Sequence, residues 1–289
     1  MKIKELYQSK KPVLSLEVFP PRIDYPLETV FKTLDNLKLL DPGYISVTYG
    51  AGGSNRARTV EIASRLKKEY GIESQAHLTC TGHTRSEIES VLSDLSNHGV
   101  ENIMALRGDP PQDGSDFDFN NQEYRYALEL IEDIKRNRAD FGISAAAHPE
   151  GHPECQRLGE DIIYLKKKVE TGVDFLITQL FFDNRIYYEF LDRAFRAGIN
   201  CPIVPGIMPV LNARQIRRII YLCGASIPAQ LLILVDKYDN NPEGMAKAGV
   251  EYASRQVEDL LQNKVPGVHL YTMNRSKQIT DIVKNVGLA

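Results

Sequence analysis

The sequence predicts an α/β fold in which about eight β-α units form a single (β/α)8 TIM barrel over residues 1–289. Short runs rich in β-branched and aromatic residues alternate with longer amphipathic stretches along most of the chain. The first strand ends at Pro20, Pro21 and Arg22, without the glycine-rich turn that a doubly wound nucleotide-binding sheet usually carries there. The length of 289 residues also suits one barrel domain.

The elements follow in order. Strands are predicted at 13–19, 44–49, 74–80, 102–108, 142–148, 175–182, 202–208 and 268–274. Amphipathic helices are predicted between most of them, at 27–40, 56–70, 85–98, 122–138, 156–171 and 184–197. Residues 211–263 break this rhythm, and we expect two or three extra helices there before the last strand.

Polar residues share one side of the predicted strands. In the first strand, Ser15 and Glu17 alternate with leucine and valine, and barrel strands alternate between facing the helices and facing the interior. The same parity holds for Ser46, Thr48, Gln75, His77, Thr79, Arg107, Asp109 and Gln179. Any one of these can be a hydrogen-bonded interior residue. As a set, they predict an active site at the carboxyl ends of the strands.

Composition excludes several classes of function. The net charge of −3 gives no basic footprint for nucleic acid. We expect no membrane span and no signal peptide, because the longest apolar run is short and the N-terminus lacks an apolar core, so a cytoplasmic protein is expected. The four cysteines form no C-x-x-C pair. The segment 148–154 holds two histidines and two glutamates, but its prolines disfavour a helical metal motif, and no metal site is expected.

Two carboxylates are candidate catalytic groups. Glu17 lies in an apolar strand just before Pro20-Pro21, and Asp109 follows another apolar strand just before Pro110-Pro111. A lone acid in apolar surroundings loses hydration, which favours its protonated form. Glu17 is therefore predicted to donate a proton near neutral pH.

Other motifs allow two interpretations on pattern alone. The glycine-rich segment 50–54 suits either an anion-binding turn or a plain barrel loop. His148 and His152 suit ring stacking or phosphate contacts. Arg275, after the last strand, suits a substrate carboxylate or a surface ion pair. Asp161 and Lys168 lie on one amphipathic helix, whose charged face is by default solvated.

Eight motifs stand in an order that resembles the bacterial-type methylenetetrahydrofolate reductases. They are Leu-Glu-Val-Phe-Pro-Pro-Arg (16–22), Val-Thr-Tyr-Gly-Ala-Gly-Gly-Ser (47–54), His-Leu-Thr-Cys (77–80), Ala-Leu-Arg-Gly-Asp (105–109), His-Pro-Glu (152–154), Ile-Thr-Gln-Leu-Phe-Phe-Asp (177–183), Pro-Gly-Ile-Met-Pro (205–209) and Tyr-Thr-Met-Asn-Arg (271–275). The resemblance covers about residues 13–287. It implies a flavin-containing barrel that reduces 5,10-methylenetetrahydrofolate to 5-methyltetrahydrofolate with NADH or NADPH by ping-pong hydride transfer.

The resemblance also implies roles for individual residues. Glu17 matches the general acid that opens the imidazolidine ring, and Asp109 matches a carboxylate near the flavin and the pterin. Flavin contacts are implied for Thr48, Tyr49, Ala51, His77, Arg107, Gly108, Asp109, Tyr126, Ala127, His148, His152, Asp161 and Lys168. Folate contacts are implied for Asp109, Gln179, Gln215 and Arg275, and Gln179 also matches a nicotinamide contact.

Several questions stay open at this point. His148, Tyr164, Lys167 and Val173 differ from the residues that many relatives carry, all near the part of the site that would hold the adenosine diphosphate half of FAD. FAD is therefore expected, with FMN as the alternative. We expect a homo-oligomer, and the sequence leaves open whether an electron-transfer partner is needed. Two other functions remain: a flavin-free nicotinamide-dependent folate reductase and a non-catalytic folate-binding subunit.

Overall fold

The computed structural model describes residues 1–50, 56–110 and 117–288, and within α7 (residues 213–223) it leaves four side chains undescribed, those of Gln215, Arg217, Arg218 and Leu222. The strands are β1 (Val13–Val18), β2 (Tyr44–Val47), β3 (Glu73–Thr79), β4 (Asn102–Leu106), β5 (Gly142–Ala147), β6 (Phe175–Thr178), β7 (Ile203–Val204), β8 (Gly206–Ile207) and β9 (Gly267–Tyr271). They form one sheet in the order β7-β6-β5-β4-β3-β2-β1-β9-β8. The predicted α/β barrel is confirmed.

The barrel closes through a strand that is interrupted by proline. β7 pairs with β6 and β8 pairs with β9, both in parallel, and Pro205 alone separates β7 from β8. Proline has no N–H to donate to a ladder, so a continuous strand is interrupted at this residue. The carbonyl oxygen of Pro205 still accepts a hydrogen bond from the His269 N–H at 2.9 Å. The two ends of the sheet therefore meet at residues 203–207.

Helices cover the outside of the barrel. They are α1 (Glu28–Leu37), α2 (Arg56–Lys68), α3 (Arg85–Asn97), α4 (Ala127–Asn137), α5 (Leu158–Glu170), α6 (Asn184–Arg196), α7 (Ala213–Cys223), α8 (Ala229–Lys237), α9 (Pro242–Gln262) and α10 (Ser276–Asn285). The extra helices predicted before the last strand are α7, α8 and α9. Local chemistry sets several of the starts: Thr84 and Glu87 form a capping box on α3, and Asn241 caps α9 ahead of Pro242.

The alternation of apolar and polar residues along the strands determines which side chains face the helices and which face the barrel interior. Leu16 and Val18 of β1 belong to the apolar layer between sheet and helices, whereas Ser15 and Glu17 face the barrel interior. The interior is partly polar, since the Ser46 hydroxyl donates to Gln75 Oε1 at 2.8 Å and Gln75 Nε2 donates to Ser144 Oγ at 2.9 Å. This arrangement leaves the carboxyl ends of the strands free to present polar side chains.

A short 3-10 helix (Ile3–Gln8) covers the amino-terminal end of the barrel. Ile3 is fully buried in the interior cluster that also contains Tyr44 and Phe175, and its N–H donates to Asn102 Oδ1 at 2.9 Å. Tyr7 of the same helix stacks at a tilt against Phe175, with ring centroids 5.0 Å apart. Because Tyr44, Asn102 and Phe175 are each the first residue of a strand, this helix lies at the face opposite the strand carboxyl ends.

Candidate active site

A cleft of about 1070 Å³ opens at the carboxyl ends of β2 to β6, beside the start of α4 and along α5. Its size is at the upper end of the range for small-molecule sites. Eleven of the residues for which flavin or folate contacts were implied line it together: Tyr49, Arg107, Gly108, Asp109, Tyr126, Ala127, His148, His152, Asp161, Lys168 and Gln179. The strand ends and the two helices that follow them therefore bring most of the predicted set to one place.

The remaining predicted residues lie elsewhere at the same end of the barrel or outside the described structure. Glu17 and His77 lie deeper on β1 and β3, and Thr48 directly follows β2. Arg275 is exposed at the residue before α10. Ala51, with most of the glycine-rich segment 50–54, lies outside the described residues, and Gln215 is on α7 with its side chain not described.

Glu17 lies between two histidines. Its Oε2 is 3.5 Å from His77 Nε2 and 3.7 Å from His269 Nε2, and its side chain is 18% exposed. Burial raises the pKa of Glu17, as expected for a desolvated acid, but the interactions of the carboxylate with the neighbouring imidazoles of His269 and His77 together outweigh burial. The net result is a pKa below the usual value for glutamate. The prediction of a lone acid held protonated by apolar surroundings was wrong, because its neighbours across the sheet are polar.

His269 was not predicted as a site residue from the sequence. This residue is fully buried, and its Nδ1 is hydrogen bonded to the Ser15 hydroxyl at 2.9 Å. The register places His269 opposite Ser15 on the neighbouring strand, so its ring reaches the next interior residue, Glu17. The sequence did contain a signal for His269, because this polar residue lies two positions before Tyr271 in the last strand and therefore on the same side of that strand. The pairing of the first and last strands was needed to use it.

The imidazole of His77 is uncharged near neutral pH. Burial lowers its pKa below the usual value, and the nearby Glu17 carboxylate only partly offsets this effect. Within the described part of the chain, neither His77 Nε2 nor His269 Nε2 has a hydrogen-bond partner. These two buried ring nitrogens can therefore serve a carboxyl group that changes its protonation state, or a bound ligand.

Arg107 is held by Glu154 at the rim of the cleft. Both of its terminal nitrogens donate to the two Glu154 oxygens, each at 2.6 Å, in the bidentate geometry that suits guanidinium and carboxylate. This pairing raises the pKa of Arg107 further and keeps the pKa of Glu154 below its ordinary value. The ion pair fixes the direction of the guanidinium in the cleft, and Glu154 was quoted in the sequence only as part of a motif.

Lys168 provides a partly buried positive charge on the wall of the cleft that α5 forms. Its Nζ donates to the Ala146 carbonyl oxygen at 2.8 Å. Burial lowers the pKa of Lys168 to about 8, while the charge of Asp161 acts in the opposite direction. An ammonium group has three donors, and the Ala146 carbonyl takes one, so the group is suited to hold an anion such as phosphate. The default of a solvated face is therefore wrong for Lys168.

His148 and His152 stack edge to face beside this wall. Their ring centroids are 4.8 Å apart and the planes are inclined by 74°. Burial lowers the pKa of both rings, and for His148 it lowers the pKa to about 3, with a further contribution from the Lys168 charge. Both rings are therefore neutral at pH 7 and offer stacking surfaces and single N–H donors.

The neutral His148 predicts a loss of stability in acid. Its unfolded pKa is about 6.5 and its folded pKa about 3, so the unfolded chain binds the extra proton as the pH falls between these values. Stability should therefore decrease from pH 7 to pH 5. Because the ring is partly exposed, we expect on the order of 1 kcal/mol from this residue. Urea unfolding at both pH values should show a smaller loss for His148→Phe than for wild type. The exposed His98→Gln is the control, and equal losses in wild type and His148→Phe would contradict the prediction.

Residues 1–50, 56–110 and 117–288 contain no cluster of three or more His, Cys, Asp or Glu side chains placed to hold a metal ion. Over the same ranges, no helix combines the length and apolar character needed to cross a membrane.

A family model described as methylenetetrahydrofolate reductase matches residues 2–287. The chain belongs to the methylenetetrahydrofolate reductase family. The 5,10-methylenetetrahydrofolate reductase of Escherichia coli (strain K12) is 37% identical over 276 residues, which are 95% of this chain and 90% of that protein. Methylenetetrahydrofolate reductase (NADH) 1 of Arabidopsis thaliana is 36% identical over 297 residues, covering 99% of this chain. The chain spans about half the length, 50%, of the plant relatives that it matches.

Solved structures agree with the barrel found here. An uncharacterized protein from Clostridium thermocellum, which binds two copies of 5-methyl-5,6,7,8-tetrahydrofolic acid, matches with a TM-score of 0.66 at 12% identity and covers 99% of this chain and 98% of its own. An oxaloacetate acetylhydrolase matches with a TM-score of 0.52 at 11% identity, covering 98% of this chain and 83% of its own. At such identities the likeness shows the fold alone.

The methylenetetrahydrofolate reductase family is associated with flavin, and the cleft has features that fit such a group. Tyr49 Oη and Thr79 Oγ1 are buried polar atoms on its wall, and neither has a hydrogen-bond partner within the described ranges. Gly108 lines the same wall with φ of +88°, and a Cβ at this position would lie 2.8 Å from Thr79 Cβ. A flat ring with polar edges can therefore approach the backbone here and satisfy the two hydroxyl groups.

Proposed function

We propose that the chain is a flavin-dependent oxidoreductase that reduces 5,10-methylenetetrahydrofolate to 5-methyltetrahydrofolate, with NADH or NADPH as the hydride source. The observation that carries the proposal is Glu17 held between two imidazoles at the same end of the barrel as a large cleft lined by Lys168, Arg107 and Gly108. This arrangement combines a site for protonation with a site for a phosphate-bearing ring. Membership of the family supports the same reaction.

Different residues on the walls of the cleft are proposed to contact different parts of the flavin. Lys168 supplies positive charge for the phosphates, Arg107 offers the guanidinium N–H groups that Glu154 does not take, and the neutral rings of His148 and His152 supply flat surfaces. Tyr49, which lines the same cleft as Gly108, offers a hydroxyl group. Burial raises the pKa of Tyr49 to about 12, so this hydroxyl stays protonated and can donate a hydrogen bond. A bound flavin would supply an acceptor that takes hydride from the nicotinamide and delivers it to the folate. FAD is our first choice because of the cleft volume of about 1070 Å³, and FMN is the alternative.

Glu17 is proposed to protonate the folate. A proton delivered to the substrate opens its five-membered ring and produces a cationic iminium that accepts hydride. The carboxyl group is anionic in the open cleft because of its two histidines. A bound folate removes the remaining water from the 18% of the side chain that is exposed, which raises the pKa of Glu17 and favours proton uptake. Glu17 therefore acquires its proton in the complex in which the proton is needed.

Asp109 and the polar rim residues are proposed to bind and orient the folate. Asp109 follows β4 on the cleft wall, where its negative charge favours the iminium cation over the neutral substrate. Gln179 follows β6 on the same wall, and its Oε1 accepts the Leu180 N–H at 2.9 Å, which directs its amide nitrogen away from the backbone. Arg275, exposed at the start of α10, and Gln215 on α7 are proposed to bind the rest of the folate, with Arg275 directed to the glutamate carboxylates.

Flavin retention tests the proposed cleft. We expect the purified protein to be yellow and Gly108→Ala to lose most of the bound flavin, because the new Cβ would contact Thr79 and displace the wall of the cleft. The matched control is Gly82→Ala, whose φ of +75° imposes similar backbone strain with no atom within 4 Å of the new Cβ. The measurement is the flavin-to-protein absorbance ratio, followed by mass analysis of the released cofactor.

Three outcomes would contradict this proposal. A wild-type protein without flavin that still oxidises NADH with folate would favour the flavin-free reductase. A protein with folate affinity and no NADH oxidation would favour the non-catalytic subunit. Equal flavin loss in Gly108→Ala and Gly82→Ala would show that backbone strain, and not the cleft wall, controls retention.

A further inference from the structure

The first and last strands stay joined beyond the residue at which β9 ends. β9 pairs with β1 up to Tyr271, which lies opposite Glu17. At the next residue, both the N–H and the side-chain hydroxyl of Thr272 donate to the Glu17 carbonyl oxygen, at 3.3 Å and 2.5 Å. Thr272 is fully buried. The backbone of the proposed acid is therefore held from the side of the last strand.

Asn274 continues this connection with its side chain. The Phe19 N–H donates to Asn274 Oδ1 at 3.1 Å, and Asn274 Nδ2 donates to the Phe19 carbonyl oxygen at 2.8 Å. The carboxamide thus gives one residue both an acceptor and a donor, as the backbone of a neighbouring strand would. Phe19 is followed by Pro20 and Pro21, which have no N–H. Asn274 therefore pairs with the last backbone N–H before the two prolines.

The chain leaves the sheet here in a strained turn. Met273 and Asn274 have φ of +48° and +53°, in the left-handed region that residues other than glycine seldom occupy. Asparagine tolerates this region, but methionine has no such advantage. The Asn274 N–H donates to Thr272 Oγ1 at 3.0 Å, and the Arg275 N–H donates to the Thr272 carbonyl oxygen at 2.8 Å. Backbone strain persists only where the surrounding structure imposes it, and it is common at functional sites.

The turn joins two residues that have separate proposed roles. Arg275, exposed at the end of the turn, is proposed to bind the glutamate carboxylates of the folate, and Glu17 is proposed to protonate its five-membered ring. Thr272 is hydrogen bonded to the backbone of both residues. Asn274 holds Phe19, two residues after Glu17. The groups proposed for the two ends of one substrate therefore lie on segments that are hydrogen bonded to each other.

We propose that Asn274 is a positioning residue that couples binding of the folate tail to the placement of Glu17. The proposal rests on the proposed function, in which Arg275 binds the tail and Glu17 is the acid. A tail held by Arg275 fixes the turn, and the turn fixes the end of β1 through Asn274. Binding energy from a remote part of the substrate then aligns the reacting groups, which raises the rate at saturation as well as the affinity.

The test compares two substrates, 5,10-methylenetetrahydrofolate and the same compound without its glutamate, 5,10-methylenetetrahydropteroate. In wild type, we expect the saturating single-turnover rate of prereduced enzyme to be about tenfold higher with the complete folate. In Asn274→Gly, the rate with the complete folate should fall by about tenfold, while the rate with the truncated compound should change by less than about twofold. Reduction of the flavin by NADH should be unchanged. A defect confined to folding would not remove the difference between two substrates.

The matched control is Met273→Gly. Glycine accepts a positive φ at either position, so both variants relieve the strain of the turn. Only Asn274→Gly removes the two hydrogen bonds to Phe19. Met273→Gly should therefore keep the wild-type ratio of the two rates.

Several outcomes would overturn the coupling and leave the proposed function in place. They are equal rates with the two substrates in wild type, an unchanged ratio in Asn274→Gly, equal slowing with both substrates in that variant, and loss of the ratio in Met273→Gly. Normal folate reduction by Glu17→Gln would instead remove the proposed acid. If Asn274→Gly does not fold, Asn274→Asp decides by the same ratio, because it keeps an acceptor for the Phe19 N–H but loses the donor to the Phe19 carbonyl oxygen.

Discussion

Glu17→Gln is expected to reduce the flavin normally with NADH but to lose folate reduction by about 100-fold to 10,000-fold, the usual contribution of a general acid. Glutamine keeps the size and hydrogen-bonding ability of the side chain but has no proton to transfer. Anaerobic stopped-flow absorbance separates the two half-reactions, and the NADH half-reaction serves as the internal control. Normal folate reduction by this variant would remove Glu17 from the mechanism.

The electrostatics of Glu17 also determine how the rate depends on pH. Its pKa in the open cleft lies below the usual value, so the protonated fraction near neutral pH is small and increases as the pH falls. The folate half-reaction of wild type should therefore accelerate from about pH 8 to pH 6, until substrate binding or folding fails. The same profile should be flat in Glu17→Gln. A rate that rises with pH would contradict a role as proton donor.

Asp109→Asn is expected to raise the reduction potential of the bound flavin. A negative charge near the ring disfavours the added charge of the reduced form, and the amide removes that charge. Two unit charges about 6 Å apart interact by about 0.7 kcal/mol in water and about 3 kcal/mol at an effective dielectric constant near 20. For a two-electron couple these energies correspond to about 15 mV and about 60 mV.

The solvent exposure of the Asp109 side chain determines which of these two potential shifts is expected. Its side chain is exposed in the open cleft, which favours the small shift. A folate analogue that fills the cleft should increase the shift toward the larger value. Potentiometric titration of wild type and Asp109→Asn, with and without the analogue, measures the shift in flavin potential in the open and in the filled cleft. The control is Asp140→Asn, which removes an equal charge from an exposed residue between α4 and β5, at the opposite face. No change or a decrease in potential in Asp109→Asn would contradict the electrostatic role.

The barrel itself could be predicted because its signals are local. Alternation of apolar and polar residues along β1 was enough to place Leu16 outward and Glu17 inward, and both placements are confirmed. The interruption of the seventh strand at Pro205 was not predicted from the sequence. The prediction treated residues 202–208 as one strand, whereas the structure has two residues on each side of the proline. A missing N–H breaks a ladder at one position without altering the hydrophobic pattern.

The surroundings of Glu17 could not be predicted from its own strand. The two side chains that determine its charge, His77 and His269, come from β3 and β9, and His269 is 252 positions away along the chain. Apolar neighbours in sequence indicated desolvation, which is present, but the imidazoles that oppose its effect on the pKa arrive only when the barrel brings β3 and β9 close to β1. Strand pairing is a tertiary property, and the sign of a pKa shift depends on it.

The cleft residues show a second limit of sequence analysis. On pattern alone, Lys168 was a charge on a solvated helix face, and only the resemblance to a family suggested otherwise. The structure places its Nζ against the carbonyl oxygen of Ala146, near the end of β5. The hydrophobic period of a helix predicts which face is buried, but it does not indicate that a lysine stem will reach across that face to a strand end.

The most direct test of the proposed reaction follows the flavin through both half-reactions in the wild-type protein. NADH is added without oxygen, the oxidised nucleotide is removed, and 5,10-methylenetetrahydrofolate is then mixed with the reduced protein. We predict that the flavin absorbance is lost in the first step and returns in the second, with one 5-methyltetrahydrofolate formed per flavin. A protein that binds no flavin, or a reduced flavin that folate fails to reoxidise, would contradict the proposed function.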